Sequence, residues 1–460
     1  MVIYRGWLAA TRRARQESFF RQLLVKQFLP AGETGRLHSR KLGRMLRFSC
    51  THVPYYREQF RALGLTGRDA QARPLEVLAA LPLLDKTILR ERFEDLQSND
   101  LGNRRWFFNT SGGSTGEPVR FVQDGAYQNR AMGGKALFDN WSGYASGEPQ
   151  VRLWGSERDL LTGREDVRTR VGRWLRNETP LNTFRMSDAD MRHYVETINR
   201  VAPVQVLAYA ESAFELACFI EREGLKIHSP RAVMTSAGTL YPHMREAIER
   251  VFGARVFNRY GSREAGDIAC ECEGHRGLHV NPYTHRVEIV SEDGSPCAPG
   301  RTGEIVVTLL TNEAMPLLRY RIGDMAAWAQ GPCSCGRSWP LLEQVSGRVM
   351  EVFRRRDGSP VVPEYFIHFI GVTMRGELNF IKKFQVIQEG FDKLKMLVVP
   401  RVGKEEARRQ LSAKKAMLDD LVVKVMGERC GLEVLLVEDI PKTPSGKYCW
   451  TKVHMNARNN

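Results

Sequence analysis

The residues best equipped for chemistry fall into short groups spread along the chain. In residues 107–121, three glycines and four hydroxyl residues lie between apolar pairs. That order predicts strand, tight loop, strand. Glycines permit positive φ and a close approach of backbone to ligand. Successive N–H groups then form a nest for anionic oxygens. Ser111, Gly112, Gly113, Ser114, Thr115 and Gly116 are therefore candidates to hold a polyphosphate, with Thr110 adding a hydroxyl. No Gly-Lys-Ser/Thr closes the stretch and no helix follows at once, so it is not a P-loop. The competing reading is a Gly/Ser linker, but linkers seldom sit between two apolar pairs.

The second group is Asn258-Arg259-Tyr260-Gly261-Ser262-Arg263-Glu264, at the end of an expected buried strand. Ligands of open α/β sheets bind at such carboxyl ends. Tyr260 can stack on a base, and Glu264 can hold a magnesium ion against phosphate oxygens. In Leu318-Arg319-Tyr320-Arg321-Ile322-Gly323-Asp324, a carboxylate after a glycine turn can accept both hydroxyls of a ribose. Ser346-Gly347-Arg348 reads as a joint between domains. In Ile440-Pro441-Lys442-Thr443-Pro444-Ser445-Gly446-Lys447-Tyr448, a lysine on a Pro/Gly-rich loop can swing into a site and out again. Taken singly, each of these also reads as a surface turn or a capped loop.

These groups need elements to position them. Apolar periodicity predicts a mainly helical region over residues 1–100, interrupted by an extended segment at Leu81-Pro82-Leu83-Leu84-Asp85-Lys86. Beyond the glycine loop, strands at 151–155, 204–209, 232–236 and 254–258 alternate with helices at 124–140, 188–200, to about 223, and 241–252. Such alternation predicts parallel α/β layers. The charged stretch 164–176 reads as an exposed excursion. From about residue 278, short strands and turns predict an antiparallel β subdomain. The expected fold is α/β, with core and β subdomain over 101–348 and a small α+β lid over 349–460, whose long helix spans 404–427.

With 460 residues, 42% hydrophobic and 26% charged, the composition is that of a globular chain with a large core. No run of about 18 apolar residues occurs, so no membrane span is expected. The N-terminus lacks a signal-peptide core, which points to the cytoplasm. The net charge of +15 is concentrated at Arg12, Arg13, Arg15, Arg21, Arg40, Lys41, Arg44 and Arg354 to Arg356. No nucleic-acid-reading signature accompanies it, so a solvated basic face around an anionic small-molecule site is expected rather than a specific nucleic-acid partner. A homodimer is compatible with the sequence.

Nine cysteines, an odd number, argue against a secreted disulfide framework. Cys270-Glu271-Cys272-Glu273-Gly274-His275 and Cys333-Ser334-Cys335 have the spacing of a tetrahedral zinc site. Cys272, His275, Cys333 and Cys335 form the expected ligand set, with Cys270 and His279 as substitutes.

In their order and spacing the groups resemble the adenylate-forming superfamily of acyl-CoA synthetases and peptide-synthetase adenylation domains. Val53-Pro54-Tyr55-Tyr56, the 81–86 segment, 112–118 and 318–324 carry a closer resemblance to its phenylacetate–CoA ligase-like branch. That branch includes capsular-polysaccharide-biosynthesis adenylating enzymes and often carries a structural zinc. The resemblance covers about residues 40–450. It implies that a carboxylic acid attacks ATP to give acyl-AMP and pyrophosphate, and that a thiol, usually that of CoA, displaces AMP. An amine, a hydroxyl or a carrier protein is the alternative acceptor. A silent basic scaffold binding nucleic acid or anionic membrane is the alternative of another class.

By the same resemblance, Thr115 and its loop hold the departing phosphates, Tyr260 with Gly261 and Ser262 flanks the adenine, and Glu264 binds Mg2+. Asp324 and Arg348 hold the ribose, Lys447 bridges carboxylate and phosphate, and the lid turns about residues 349–350. Trp154, Tyr209, Ser236, Ala237 and Gly238 would line the acyl pocket, for which an aryl or medium hydrophobic acid is expected. Arg120, Arg263 and Met350 depart from the usual residues. This reading requires Ser114, Glu264 and Asp324 to share one cleft.

Overall fold

The computed structural model describes residues 14–110, 119–154, 167–183, 186–348, 353–356, 360–361, 377–378, 380–426, 429–440 and 450–454. The 111–118 loop, Lys447 and the 349–350 joint lie outside these residues.

The helices α1 (Ala14–Lys26), α2 (Ala31–His52), α3 (Pro54–Ala62), α4 (Gly67–Ala72), α5 (Pro74–Ala80) and α6 (Lys86–Glu91) come first. Pro54 and Pro74 occupy first-turn positions, where no N–H is needed. Thr66 and Asp69 form a capping box at α4. Strands β1 (Trp106–Thr110) and β2 (Arg120–Asp124) pair antiparallel on either side of the glycine loop, with Thr110 opposite Arg120.

The next elements are α7 (Gly125–Trp141), β3 (Gln150–Leu153), α8 (Val167–Arg176), β4 (Glu178–Leu181), α9 (Asp188–Val201), β5 (Gln205–Tyr209), α10 (Ala210–Glu223), β6 (Ala232–Ser236), α11 (Pro242–Phe252) and β7 (Arg255–Ser262). Strands β4, β3, β5, β6 and β7 lie side by side and parallel. Every residue of β5 and β6 is buried, and their middles, Val206-Leu207-Ala208 and Ala232-Val233-Met234, are continuous apolar runs. Of the stretch expected as an exposed excursion, the described part, from residue 167, is α8 leading into β4; it is helical and lies at the surface, with Val171 49% and Trp174 73% exposed. Its dense arginines masked an amphipathic pattern, and Arg176 pairs with Glu178 at 3.0 Å.

At β8 (Gly266–Glu271) the direction reverses. β9 (Leu278–Val280), β10 (His285–Val290), β11 (Gly303–Leu309), β12 (Tyr320–Trp328) and β13 (Leu341–Arg348) complete one 11-stranded sheet, in the order β10-β11-β12-β13-β9-β8-β7-β6-β5-β3-β4. The antiparallel strands are thus the continuation of the parallel sheet.

Strands β14 (Phe353–Arg354) and β15 (Pro360–Val361) form a small pair. Strands β16 (Ile381–Gly390) and β17 (Lys393–Pro400), helices α12 (Lys404–Ala413) and α13 (Lys415–Met426), and strands β18 (Gly431–Leu436) and β19 (Thr451–Val453) follow, with a four-stranded sheet ordered β18-β17-β16-β19. The single helix expected over 404–427 is broken at Lys414.

One apolar cluster runs from Val151, Ile198 and Ile248 on to Phe384, Val398 and Leu421. A second joins Leu42, Tyr56 and Leu84 to Ile289, Ile305 and Tyr320. The N-terminal helices are thereby packed on the antiparallel strands. Burial of large side chains there contributes about 1.5–3 kcal/mol each. Several of the basic residues are ties within the fold. Lys41 Nζ donates to Tyr283 O at 2.7 Å, and burial lowers its pKa to about 7. Arg354 pairs with Glu292 at 2.6 Å and Arg356 with Asp392 at 3.0 Å. No helix among the described residues is long and apolar enough to cross a membrane.

Candidate active site and thiol cluster

The β7–β8 hairpin is where the parallel and antiparallel halves meet. Its turn is tight: a Cβ on Gly261 would collide with Gly266 O and lie 2.9 Å from Asp267 Cα. Only glycine permits that approach. Tyr260 Oη donates to Asp324 Oδ2 at 2.8 Å, joining the second and third sequence groups. Asp324 stands opposite Arg348 in the β12–β13 register. Tyr320, four residues before Asp324 on β12, donates to Glu264 Oε1 at 3.4 Å. Burial and the Glu264 carboxylate push the Tyr320 phenol far above its ordinary pKa, so it remains a donor.

Glu264 itself is buried, and its backbone is held from several sides. Gln123 Nε2, on β2, reaches Arg263 O at 3.1 Å and Glu264 O at 3.4 Å. Ser262 Oγ accepts from Ala265 N at 3.1 Å. His285 Nε2 lies 2.9 Å from Ala265 O, and burial lowers its pKa to about 4, keeping the ring neutral. Arg263 Nη1 donates to Thr110 O at 3.5 Å, so the entry to the glycine loop approaches the Glu264 turn. Glu264 and Asp324 share this cluster; Ser114 lies outside the described residues, as do Ser111, Gly112, Gly113, Thr115 and Gly116.

The two further motifs of the resemblance prove to be buttresses. Tyr56 Oη donates to Pro316 O at 3.0 Å and accepts from Leu318 N at 2.9 Å. Leu84 pairs with β12: Leu84 N donates to Arg319 O at 2.9 Å, and Arg321 N to Leu84 O at 2.8 Å. Arg319 Nη1 caps Ala79 O and Leu81 O at 2.9 and 2.8 Å.

At the parallel strand ends, the rings of Trp154 and Tyr209 pack against each other with centroids 4.1 Å apart and planes tilted by 35°. Tyr209 is in register with Ser236, and Ser236 with Arg259 beside Tyr260. Ala237 is left-handed at φ +65°. The expected acyl-pocket residues therefore line the same edge as the Tyr260–Asp324 pair. Tyr320, Gln123 and His285 were missed by sequence reasoning.

The thiol cluster differs from expectation in one ligand. Cys272, His279, Cys333 and Cys335 bring their ligand atoms within 4.8 Å of one another. Cys272 and Cys333 Sγ are 3.6 Å apart, and Cys335 Sγ is 3.3 Å from His279 Nε2. Tetrahedral zinc with Zn–S of about 2.3 Å separates its sulfurs by about 3.8 Å, so the four residues fit such an ion. His275 does not join them. It caps a left-handed turn at φ +47° and directs Nδ1 to Glu271 Oε2 at 3.3 Å. His279, on β9, arrives through the β8–β9 hairpin, paired with Cys270. Gly274 N donates to Cys272 Sγ at 3.4 Å, and His279 Nδ1 lies 3.3 Å from Trp339 O, contacts that orient both side chains. Cys270 is buried in the apolar cluster around Phe257 and Met234.

These observations define a class: the fold is that of adenylate-forming CoA ligases. A 2-hydroxyisobutyryl-CoA ligase crystallised in its postadenylation state with R3-HIB-AMP superposes with a TM-score of 0.73 at 18% identity, covering 94% of this chain and 91% of that one. More particularly, the chain is homologous to CapK and to phenylacetate-coenzyme A ligases. Residues 353–454 match the CapK C-terminal domain family. The chain is 21% identical to protein CapK of Staphylococcus aureus over 426 residues, 92% of this chain and 90% of CapK. It is 25% identical to the phenylacetate-coenzyme A ligase of Thermus thermophilus over 384 residues, 76% of this chain and 81% of that protein.

Proposed function

We propose that this protein is an ATP-dependent acid–thiol ligase that forms an acyl-adenylate and passes the acyl group to CoA. The observation that carries the reading is the Tyr260–Asp324 bond, with Glu264 and Tyr320 beside it, at the carboxyl ends of parallel strands. Homology to phenylacetate-coenzyme A ligases supports it.

In this reading Tyr260, Gly261 and Ser262 flank the adenine, and Asp324 and Arg348 hold the ribose hydroxyls. The loop at 111–116 receives the departing phosphates, with Thr115 at the reacting end. Lys447 places a positive charge between the acid and the α-phosphate. Charge gathers on phosphorus in the transition state, so a fixed cation there lowers the barrier more than it stabilises bound ATP. Glu264 would be a ligand for Mg2+, which would supply further neutralisation of the phosphate oxygens. The division into residues 1–100, 101–348 and a lid of 349–460 belongs to the same proposal, as do the cytoplasmic setting and a homodimer. Zinc held by Cys272, His279, Cys333 and Cys335 would be structural, tying the segment before β13 to the β8–β9 hairpin.

The test is pyrophosphate release across a library of carboxylic acids, with and without CoA. Acid-dependent pyrophosphate with CoA-dependent AMP release is expected. AMP release driven instead by an amine, a hydroxyl or a carrier thiol would reassign the acceptor.

A further inference from the structure

Helix α8 reverses the usual orientation of a surface helix. Such a helix ordinarily turns its apolar stripe to the core and its charges to water. On α8, Val171 and Trp174 face outward, whereas Arg173 and Arg176 are half-buried and Arg176 pairs with Glu178 on β4. Val171 and Trp174 are three residues apart, and Arg170 and Trp174 four, so all three are neighbours on one exposed helix face. Val171 also lines a groove with Arg15 of α1, Arg105 and Trp106 at the start of β1, and Met132 of α7. These four are exposed as well. Arg15, Arg105 and Arg170 have no acidic partner among the described residues. The acidic groups that share the groove, Glu17, Asp124, Asp139 and Glu178, are each paired with an arginine or lysine. The face therefore offers uncovered apolar groups together with uncompensated positive charge.

An exposed apolar patch with a polar rim marks a surface that another body covers. The chemistry of the patch selects that body. Unpaired arginines call for an anionic partner. Val171 and Met132 give nucleic-acid bases no platform for stacking. A bilayer interface accepts indole rings and aliphatic groups alike, and anionic headgroups attract arginines. We propose that α8 and the adjoining groove rim dock this protein on the surface of a bilayer that contains anionic phospholipids. Trp174 and Val171 enter the headgroup region, and Arg15, Arg105 and Arg170 meet lipid phosphates. So few apolar groups make a weak anchor, so the contact is peripheral and reversible and depends on charge. The inference does not rest on the adenylation reading.

The test is flotation of the full-length protein with vesicles of phosphatidylcholine alone and of phosphatidylcholine mixed with phosphatidylglycerol. Partition onto the mixed vesicles should be stronger by about 10-fold or more, and should fall away at about 1 M salt, where charges are screened beyond ~3 Å. Trp174→Ala should weaken it about 10-fold, and Trp174→Phe should retain most of it. Arg170→Glu should cost about fivefold or more. Val402→Ser, at an exposed apolar residue of the C-terminal region, should change nothing. All these side chains are exposed, so Tm should stay at the wild-type value throughout. Equal binding to neutral vesicles, or wild-type partition of Trp174→Ala and Arg170→Glu, would overturn the inference. So would a loss as large from Val402→Ser, the mark of general stickiness. Absence of vesicle binding would overturn it too, whether the same residues then held a single-stranded oligonucleotide, a second copy of the chain, or neither.

Discussion

In the parallel half of the sheet, neighbours in space are close in sequence: β5, β6 and β7 follow one another with a helix between each pair. In the antiparallel half, β13 lies between β12 and β9, with Leu341 opposite His279. The parallel half offers its strand ends, Trp154, Tyr209 and the 236–238 turn. The antiparallel half offers Asp324 and Arg348 from paired strands. The first is positioned by local packing, the second by distant ties: Tyr56, Leu84 and the thiol cluster. The contrast predicts that the two halves serve different substrates, the acid on one side and the nucleotide on the other.

The largest effect should come from the residue that serves both. Lys447→Ala should cut acid-dependent pyrophosphate exchange by about 1,000-fold or more, with ATP binding retained in equilibrium titration. Near-normal exchange would remove Lys447 from the chemistry. Next, metal analysis of freshly purified protein should give about one zinc per chain. Cys333→Ser and His279→Ala should lose the metal and lower Tm, whereas His275→Ala should keep it. Equal loss from His275→Ala would restore the ligand set first read from the sequence. Gly261→Ala should destabilise the seam by about 1–3 kcal/mol in urea unfolding, since the clash is with backbone. Tyr260→Phe removes a bond to a carboxylate worth about 1.5–3 kcal/mol. It should raise the KM for ATP about 10-fold or more while leaving acid selectivity unchanged. A change in acid selectivity there would erase the distinction between the halves.

The smallest expected effect is on pH dependence. His285 is held neutral with a folded pKa of about 4, against an ordinary 6.5. Below pH 6.5 the unfolded chain takes up a proton that the folded chain refuses, so stability falls as pH drops towards 4. His38 shifts in the same direction, because it is buried. Urea unfolding between pH 7 and 4.5 should show this slope, and His285→Gln should flatten it.

Much of this was legible in the sequence where local pattern decides. The strand–helix alternation of 204–258 and the two strands flanking the glycine stretch both appear in the fold. So did the candidate residues Tyr260, Glu264 and Asp324, because unusual residue types mark them. What stayed hidden depends on pairing across long separations. Nothing near Cys272 announces that His279 rather than His275 turns inward; that follows from the β9–β13 pairing and a left-handed turn. The buttressing by Tyr56 and Leu84 was legible only as a motif, since its partners lie over 230 residues away. The break at Lys414 has no proline or glycine to mark it.

Arg319 couples a strained backbone to a distant anchor. It is left-handed at φ +49°, a conformation that costs a non-glycine residue about 1–3 kcal/mol, and it immediately precedes Tyr320. Its guanidinium is anchored on carbonyls of residues 79 and 81. A glycine there would relax the backbone but cut the anchor, so neither substitution nor relief is neutral. Lesions in the stretch 79–84 would therefore be felt remotely, as a misplaced Asp324, with the helices around them still intact.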